Sequence, residues 1–385
     1  MDESTAKKSV IEAGRRLVSS GLIARTWGNV SCRIDEDSFV ITPSGRPYES
    51  LTPEQIVRVS IADLGWEGEI KPSSEKGVHA AVYRLKPEVN FVIHTHQFMA
   101  SAVSVLPCGI TNMDDQSVAI LKGTTVPVAT YALPGTKALV KNVCKVLTTQ
   151  DTYAILMSRH GALCFGSDEE ESFSVAEELE RAALWFIIAR GRERGCRNCS
   201  SFEDTAEFVL KTRVRARHSA KDLSLQCHEN GLDISDVETG RPLLSCHDIG
   251  HSLYHADDVL MRDVSRVVPR MRPFLDDFAQ IIGTDMRSIR IPEVANVDDT
   301  VQIASHFTRR IKQALNRRSG VFIEGCGALF CGKDAEAAAI VARKNCAAWI
   351  VSLLFDGAKG ISLFDSLLMH QVYKRKYAKL AESHR

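Results

Sequence analysis

The stretch SRHGALCFGSDEEESFSVAEELERAALWFI, beginning at Ser158, returns as EGCGALFCGKDAEAAAIVARKNCAAWIVSL, beginning at Glu324. A second pair matches at a constant offset: HAAVYRLKPEVNFVIHTHQF from His79 and HADDVLMRDVSRVVPRMRPF from His255 both read as a helix, a break and an apolar strand. A chain built this way reads as one folding unit followed by a degraded copy of itself. The length agrees, because 385 residues at 44% hydrophobic composition are enough for two ordinary cores. The expected division is a first unit at 1–195, a linker with the start of the second unit at 196–245, and the degraded copy at 246–385.

Charge narrows the partners. With 48 Lys plus Arg against 48 Asp plus Glu, no overall field draws nucleic acid or an anionic membrane, and a small-molecule substrate is expected. Eleven cysteines are scattered without a framework behind an N-terminus, MDESTAKKSV, that lacks a signal-peptide apolar core, so a reducing cytoplasm is expected. No stretch approaches the roughly 18 apolar residues of a membrane span. CRNC, Cys196 to Cys199, has the spacing of half a zinc knuckle, and no second pair completes it. The basic run KTRVRARHSAK reads as a solvated helix face or linker.

Along the first unit the pattern predicts a helix from Ser9 to Leu22, a turn into a strand at TWGNVSCRI, and short strands at FVITPS and WEGEI. KPSSEKGVHAAVYRLKPE predicts a helix N-capped by Ser73 or Ser74, with Glu75 in its first turn and its end at Pro87. NFVIHTHQF follows as a strand, TKALVKNVCKVL as a helix, DTYAILMSRHGALCFG as a hairpin, and DEEESFSVAEELERAALWFIIARG as a long helix.

Two histidines sit in the strand FVIHTHQF. Alternation puts His94 and His96 on one face, about 7 Å apart at Cα, with Thr95 on the other. His160 stands where YAILMS ends and turns at Gly161, within reach of the same ion. Three neutral imidazoles suit zinc or another divalent transition metal, and a site with three protein ligands keeps a position open for substrate. The copy matches His94 to Arg270, His96 to Arg272, His160 to Cys326 and Glu75 to His251, while Gly161, Ala162 and Leu163 persist as Gly327, Ala328 and Leu329. The polar set was lost and the scaffold kept, which marks the four residues as one functional group. His79, matched by His255, reads as structural. The loops GNVS, TPSG and PSSE supply hydroxyls and backbone N–H groups suited to an anion, the last of them at a helix N-terminus.

Over about the first 195 residues, GNVS, ITPSG, KPSSE, the HTH of FVIHTHQF, VPVATYALPGT and SRHGALCFG together resemble the class II aldolase/adducin family and its fuculose-phosphate aldolase branch. The resemblance implies an α/β fold, with α/β/α layers around a central, mainly antiparallel sheet, here in two tandem copies. It implies Zn2+, or Mn2+ or Co2+, on His94, His96 and His160; a phosphate pocket from Asn29, Ser44, Gly45, Ser73 and Ser74; and Glu75 as catalytic acid/base. The implied reaction is reversible cleavage of a ketose 1-phosphate to dihydroxyacetone phosphate and an aldehyde. A pentulose-phosphate epimerase, using Asp114 or Asp115, a thioribulose-phosphate dehydratase and a non-catalytic adducin-like assembly protein stay open. The family also uses a tyrosine acid, for which Tyr131, Tyr373 and Tyr377 are candidates. Most of its members carry a single domain and assemble as four-fold tetramers, so a homo-oligomer is expected here, with second domains in partner positions of a pseudo-tetramer.

Overall fold

Asp2 starts the first helix, α1 (Glu3–Ser19), well before the expected Ser9, because its Oδ1 accepts from Thr5 N at 3.0 Å. The computed structural model describes residues 1–23, 27–213, 223–229, 231–292, 300–316 and 318–380, which form two units, Met1–Arg190 and Gly191–Lys379.

The first unit is built on seven strands: β1 (Asn29–Arg33), β2 (Ser38–Ile41), β3 (Val57–Ser60), β4 (Phe91–Thr95), β5 (Val128–Ala129), β6 (Ala154–Met157) and β7 (Gly161–Gly166). Their order is β3-β2-β1-β4-β7-β6-β5, and every neighbouring pair is antiparallel except β5 with β6. Five more helices follow α1: α2 (Lys76–Leu85), α3 (Phe98–Val103), α4 (Asp115–Leu121), α5 (Lys137–Thr149) and α6 (Glu169–Glu193). One sheet face is a continuous apolar core in which Phe39, Val59, Val92, Leu163 and Phe165 meet Val78 and Val82 of α2 and Leu139 and Val143 of α5. Alternate residues such as Val30, Ile93 and Leu156 are equally buried on the opposite face, where α1, α3 and α6 lie. The result is the layered α/β arrangement around a mainly antiparallel sheet.

Several expectations change. β3 takes the place of the strand expected at WEGEI, where Trp66 makes only an isolated bridge to Val59. The serines do not cap α2. Glu75 is itself the N-cap, and Ser73 Oγ accepts from Glu75 N at 3.2 Å, turning the chain just before the helix begins. Helices α3 and α4 were not anticipated.

In the second unit, α7 (Phe202–Arg213) and the strands β8 (Leu223–His228), β9 (Gly231–Asp236) and β10 (Pro242–His247) occupy most of the stretch expected as linker. Residues 214–221 of KTRVRARHSAK lie outside the described residues. The three strands form a sheet in the order β10-β9-β8. A second sheet runs β11-β15-β14-β13-β12, from β11 (Leu253–Ala256), β12 (Arg270–Met271), β13 (Met286–Ile289), β14 (Gly320–Ile323) and β15 (Gly327–Cys331), with only β13 and β14 parallel. One core joins both sheets, with Leu232, Leu244, Val321 and Leu329 packed on Phe307 and Ile311 of α10 (Thr300–Leu315). The remaining helices are α8 (Val259–Val267), α9 (Asp276–Ile281), α11 (Ala335–Leu354) and α12 (Leu363–Leu380). By length and composition α11 could cross a membrane, but most of it is buried inside this unit.

The register corrects the sequence matching of the two halves. β12, which carries Arg270, is an edge strand paired with β13, whereas β4 is central. The strand lying against β15 is β11, where His255 pairs with Leu329 as His94 pairs with Leu163. The constant offset failed because it aligned two amphipathic helices, α2 and α8, that follow different strands. His251, matched to Glu75, sits in the short connection Asp248–Ser252 and contacts Asn316 Oδ1 at 3.0 Å.

Candidate active and metal site

Val92 faces the α2/α5 core, so His94 and His96, two and four residues on, project to the same side, toward the N-terminus of α2. β4 is buried along its whole length, and His96 follows its last residue. His160 comes from the short turn between β6 and β7, where Met157 and Gly161 close the ladder and Arg159 takes a left-handed φ of 62°. Gly161 is required there, since a Cβ would stand 2.2 Å from Thr95 O and 3.2 Å from His94 Cε1. Gly28 makes a similar close approach on the other side of β4, with φ of 112° and a Cβ position 2.5 Å from His94 O.

The three imidazoles converge. His94 Nε2 is 3.0 Å from His96 Nε2 and 3.1 Å from His160 Nε2, and all three residues are buried. Glu75 closes the group, with Oε1 2.8 Å from His160 Nε2 and Oε2 3.2 Å from His94 Nε2. Burial works to raise the Glu75 pKa, but the positive charge that His94 and His160 carry when protonated outweighs it and holds the carboxyl well below the usual range. Among the described residues His94, His96 and His160 are the one group of three or more His, Cys, Asp or Glu side chains able to hold a metal ion.

The donor chemistry fits a cation. Ala162 O can only accept, so His94 donates its Nδ1–H to it at 2.8 Å and turns a bare Nε2 lone pair toward the centre. That nitrogen, the two other imidazoles and a carboxylate share one small buried space, a ligand set that a divalent ion would satisfy. The observed nitrogen spacing is close to the roughly 3.4 Å that two ligands of a tetrahedral zinc keep.

Behind Glu75 lies a network that sequence reasoning missed. Asn29 Nδ2 donates to Glu75 Oε2 at 3.1 Å, and Asn29 Oδ1 lies 2.5 Å from His79 Nε2. Ser31 Oγ stands 2.6 Å from His79 Nδ1 and 2.7 Å from Tyr83 OH. Both polar ends of Asn29, expected at a phosphate, are thus engaged with Glu75 and His79. His79 was taken as structural only through its match to His255. Burial takes its pKa down to about 3, so the ring is neutral.

The other expected phosphate residues come together. Ser44 N donates to Lys71 O and Ser73 N to Thr42 O, both at 3.0 Å, which lays the loop holding Ser44 and Gly45 beside the loop holding Ser73 and Ser74. Ser74 is exposed at the start of α2, with Gly135 of the YALPGT loop packed close by. Of the candidate tyrosines, Tyr131 is half-buried with the Arg159 guanidinium 5.2 Å from its ring centre, Tyr373 donates to Asp334 Oδ2 in the second unit, and the side chain of Tyr377 lies outside the described residues. Asp114 caps α4 and takes two hydrogen bonds from Arg181 Nη2, at 2.8 and 2.9 Å. Cys196 and Cys199 are joined in a disulfide and offer no thiolate to a metal.

Residues 8–187 match the sequence profile of the Class II Aldolase and Adducin N-terminal domain. The L-fuculose phosphate aldolase of Escherichia coli (strain K12) is 33% identical over 187 residues, 49% of this chain and 85% of that protein. The 5-methylthioribulose-1-phosphate/5-deoxyribulose-1-phosphate aldolase of Escherichia coli O45:K1 is 33% identical over 191 residues, 50% of this chain and 87% of that one. A solved L-fuculose 1-phosphate aldolase aligns at a TM-score of 0.46 and 28% identity, covering 54% of this chain and 96% of its own. The chain belongs to the class II aldolase/adducin family. It is an enzyme of that family, and its buried His94, His96 and His160 are the residues that could hold the divalent metal.

Proposed function

We propose that the first unit reversibly cleaves a ketose 1-phosphate to dihydroxyacetone phosphate and an aldehyde, with His94, His96 and His160 as metal ligands. The observation that carries this reading is the Glu75 carboxylate, buried within 3.2 Å of two of the three imidazoles yet not needed to complete their set. All-imidazole donors favour Zn2+, with Co2+ or Mn2+ as alternatives. A bound ion would supply Lewis-acid polarisation of the substrate carbonyl. The chain supplies the rest. Ser44, Gly45, Ser73, Ser74 and the N–H groups opening α2 receive the phosphate. As the carbon–carbon bond breaks, its electron pair passes to the carbon next to the carbonyl, and Glu75 moves the proton to and from that carbon. Asn29 holds Glu75 in place. Tyr131, whose ring lies under the guanidinium of Arg159, the residue before His160, is the candidate for the aldehyde-side oxygen. The two relatives named above act, by their names, on phosphates of fuculose and of modified ribulose, which supports a ketose 1-phosphate as the class. The epimerase reading loses Asp114 as a free base, because Arg181 and the α4 N-terminus engage it.

Elemental analysis of purified protein, with His96→Ala alongside, and a panel of ketose 1-phosphates assayed for dihydroxyacetone phosphate release test this. About one ion per chain, lost in the variant, with release from at least one substrate, is expected. Metal-loaded protein that releases no triose phosphate from any of them would overturn the aldolase reading in favour of an epimerase or dehydratase, and failure to bind metal would favour an assembly role.

The second unit reads as a further copy of this fold. In support, β10-β9-β8 followed by β11-β15-β14-β13 repeats the order β3-β2-β1 followed by β4-β7-β6-β5, including the single parallel pair. It differs where the first unit carries Ser73, Ser74 and α2, since only Asp248–Ser252 joins β10 to β11. On this reading the second unit has no acid/base of its own, the protein holds one ion per chain, and it assembles as a homo-oligomer; a light-scattering mass equal to one chain would remove the last point.

A further inference from the structure

Glu75, His79 and Tyr83 follow one another at four-residue spacing from the N-cap of α2, and Asn29 and Ser31 at two-residue spacing along β1. Four helical residues rise about 6 Å and two strand residues about 6.7 Å, so the two series can interlock in step. They do, in the order Glu75, Asn29, His79, Ser31, Tyr83, through contacts of 3.1, 2.5, 2.6 and 2.7 Å. All five residues are buried.

The chemistry of each link fixes its direction. Asn29 turns its NH2 to Glu75 Oε2 and so presents Oδ1, which can only accept, to His79. His79 must then donate from Nε2, which leaves Nδ1 as acceptor for the Ser31 hydroxyl. With its proton so used, Ser31 Oγ accepts from Tyr83 OH. Every donor points toward Glu75.

We propose that His79 is a positioning residue for the Glu75 carboxylate: its Nε2–H locks the Asn29 amide in the one orientation that donates to Glu75. This rests on the aldolase reading for its kinetic consequence, though not for its structural content. Without the His79 donor, the Asn29 amide can rotate and present oxygen to the carboxylate, and Glu75 loses its fixed aim at the reacting carbon. Partners of this kind act at the level of 10- to 100-fold.

The test compares His79→Leu, which removes the donor at similar volume, with His79→Gln, whose side-chain NH2 can still reach Asn29 Oδ1. Zinc content is measured for each, and kcat and KM are taken on whichever ketose 1-phosphate the full-length enzyme cleaves. His79→Leu should lower kcat about 10- to 100-fold with KM changed less than about threefold and metal content retained. His79→Gln should recover most of the loss. A purely packing role would leave the two variants alike, and that result, or wild-type kcat in His79→Leu, overturns the proposal. A second measurement needs no substrate: nitrogen-15 NMR of histidine-labelled protein, with the His79 signal assigned by its loss in His79→Gln. The Nε2–H tautomer is expected, and the Nδ1–H tautomer would refute the direction of the network. If wild-type protein cleaves no ketose phosphate but shows the Nε2–H tautomer, the aldolase reading has failed and the network stands.

Discussion

Stripping and restoring the metal gives the sharpest reading of the site. His94 Nε2 stands 3.2 Å from Glu75 Oε2, so an ion held by the three imidazoles would lie beside the carboxylate. An ion at a hundred times its dissociation constant stabilises the folded state by about 2.7 kcal/mol. For a unit of this size each kcal/mol is worth roughly 2–4 °C in Tm, so the melting point should rise by about 5–11 °C. Chelator-treated protein would be followed by scanning calorimetry with Zn2+, Co2+ and Mn2+ added in turn. His96→Ala is the appropriate control, because His96 lies beyond the last residue of β4 and its removal disturbs the sheet least. The variant should keep most of its metal-free Tm and lose the metal-induced rise. An equal rise in both proteins would place the ion elsewhere and refute the three-histidine centre.

Further outcomes follow from individual contacts. His79 refuses a proton until about pH 3, whereas the unfolded chain takes one up near 6.5, so its contribution is complete above 6.5 and is lost as the pH falls toward 3. Urea unfolding at pH 5 should show the metal-free wild type losing about 2 kcal/mol more, relative to pH 7, than His79→Gln does. Gly161→Ala forces a Cβ to within 2.2 Å of Thr95 O and should cost about 1–3 kcal/mol in denaturant titration while weakening the metal-induced shift. Ser74→Asp, a carboxylate at the mouth of the expected phosphate pocket, should raise KM about tenfold or more with a smaller effect on kcat. Thiol titration of the unfolded, unreduced chain should count nine of the eleven cysteines.

Local signals carried much of the site. Alternation along FVIHTHQF set His94 and His96 on one side, the Gly161 turn marked His160, and KPSSE opened a helix. Long-range pairing was harder to read. β3 is only four residues, with two of them pointing outward, so its alternation was too brief to compete with WEGEI. The matching of the two halves failed because similarity between amphipathic helices says nothing about which strands flank them, and pairing partners settle that. The contacts of His79 escaped the sequence for the same reason. What could have found it is the coincidence of 75, 79, 83 with 29 and 31, a pattern visible only once a helix and a strand are known to run side by side.

Asparagine side chains age by attack of the following backbone nitrogen on the side-chain amide, which leaves an aspartate or isoaspartate. At Asn29 that change would set one carboxylate against another and silence the centre with a mass gain of about one dalton. The fold forestalls it: the nitrogen that would attack, that of Val30, is tied to Thr42 Oγ1 at 3.2 Å inside a buried strand, and the amide it would attack is clasped at both ends. The contacts that hold Asn29 against Glu75 and His79 thereby also protect the protein from slow chemical decay.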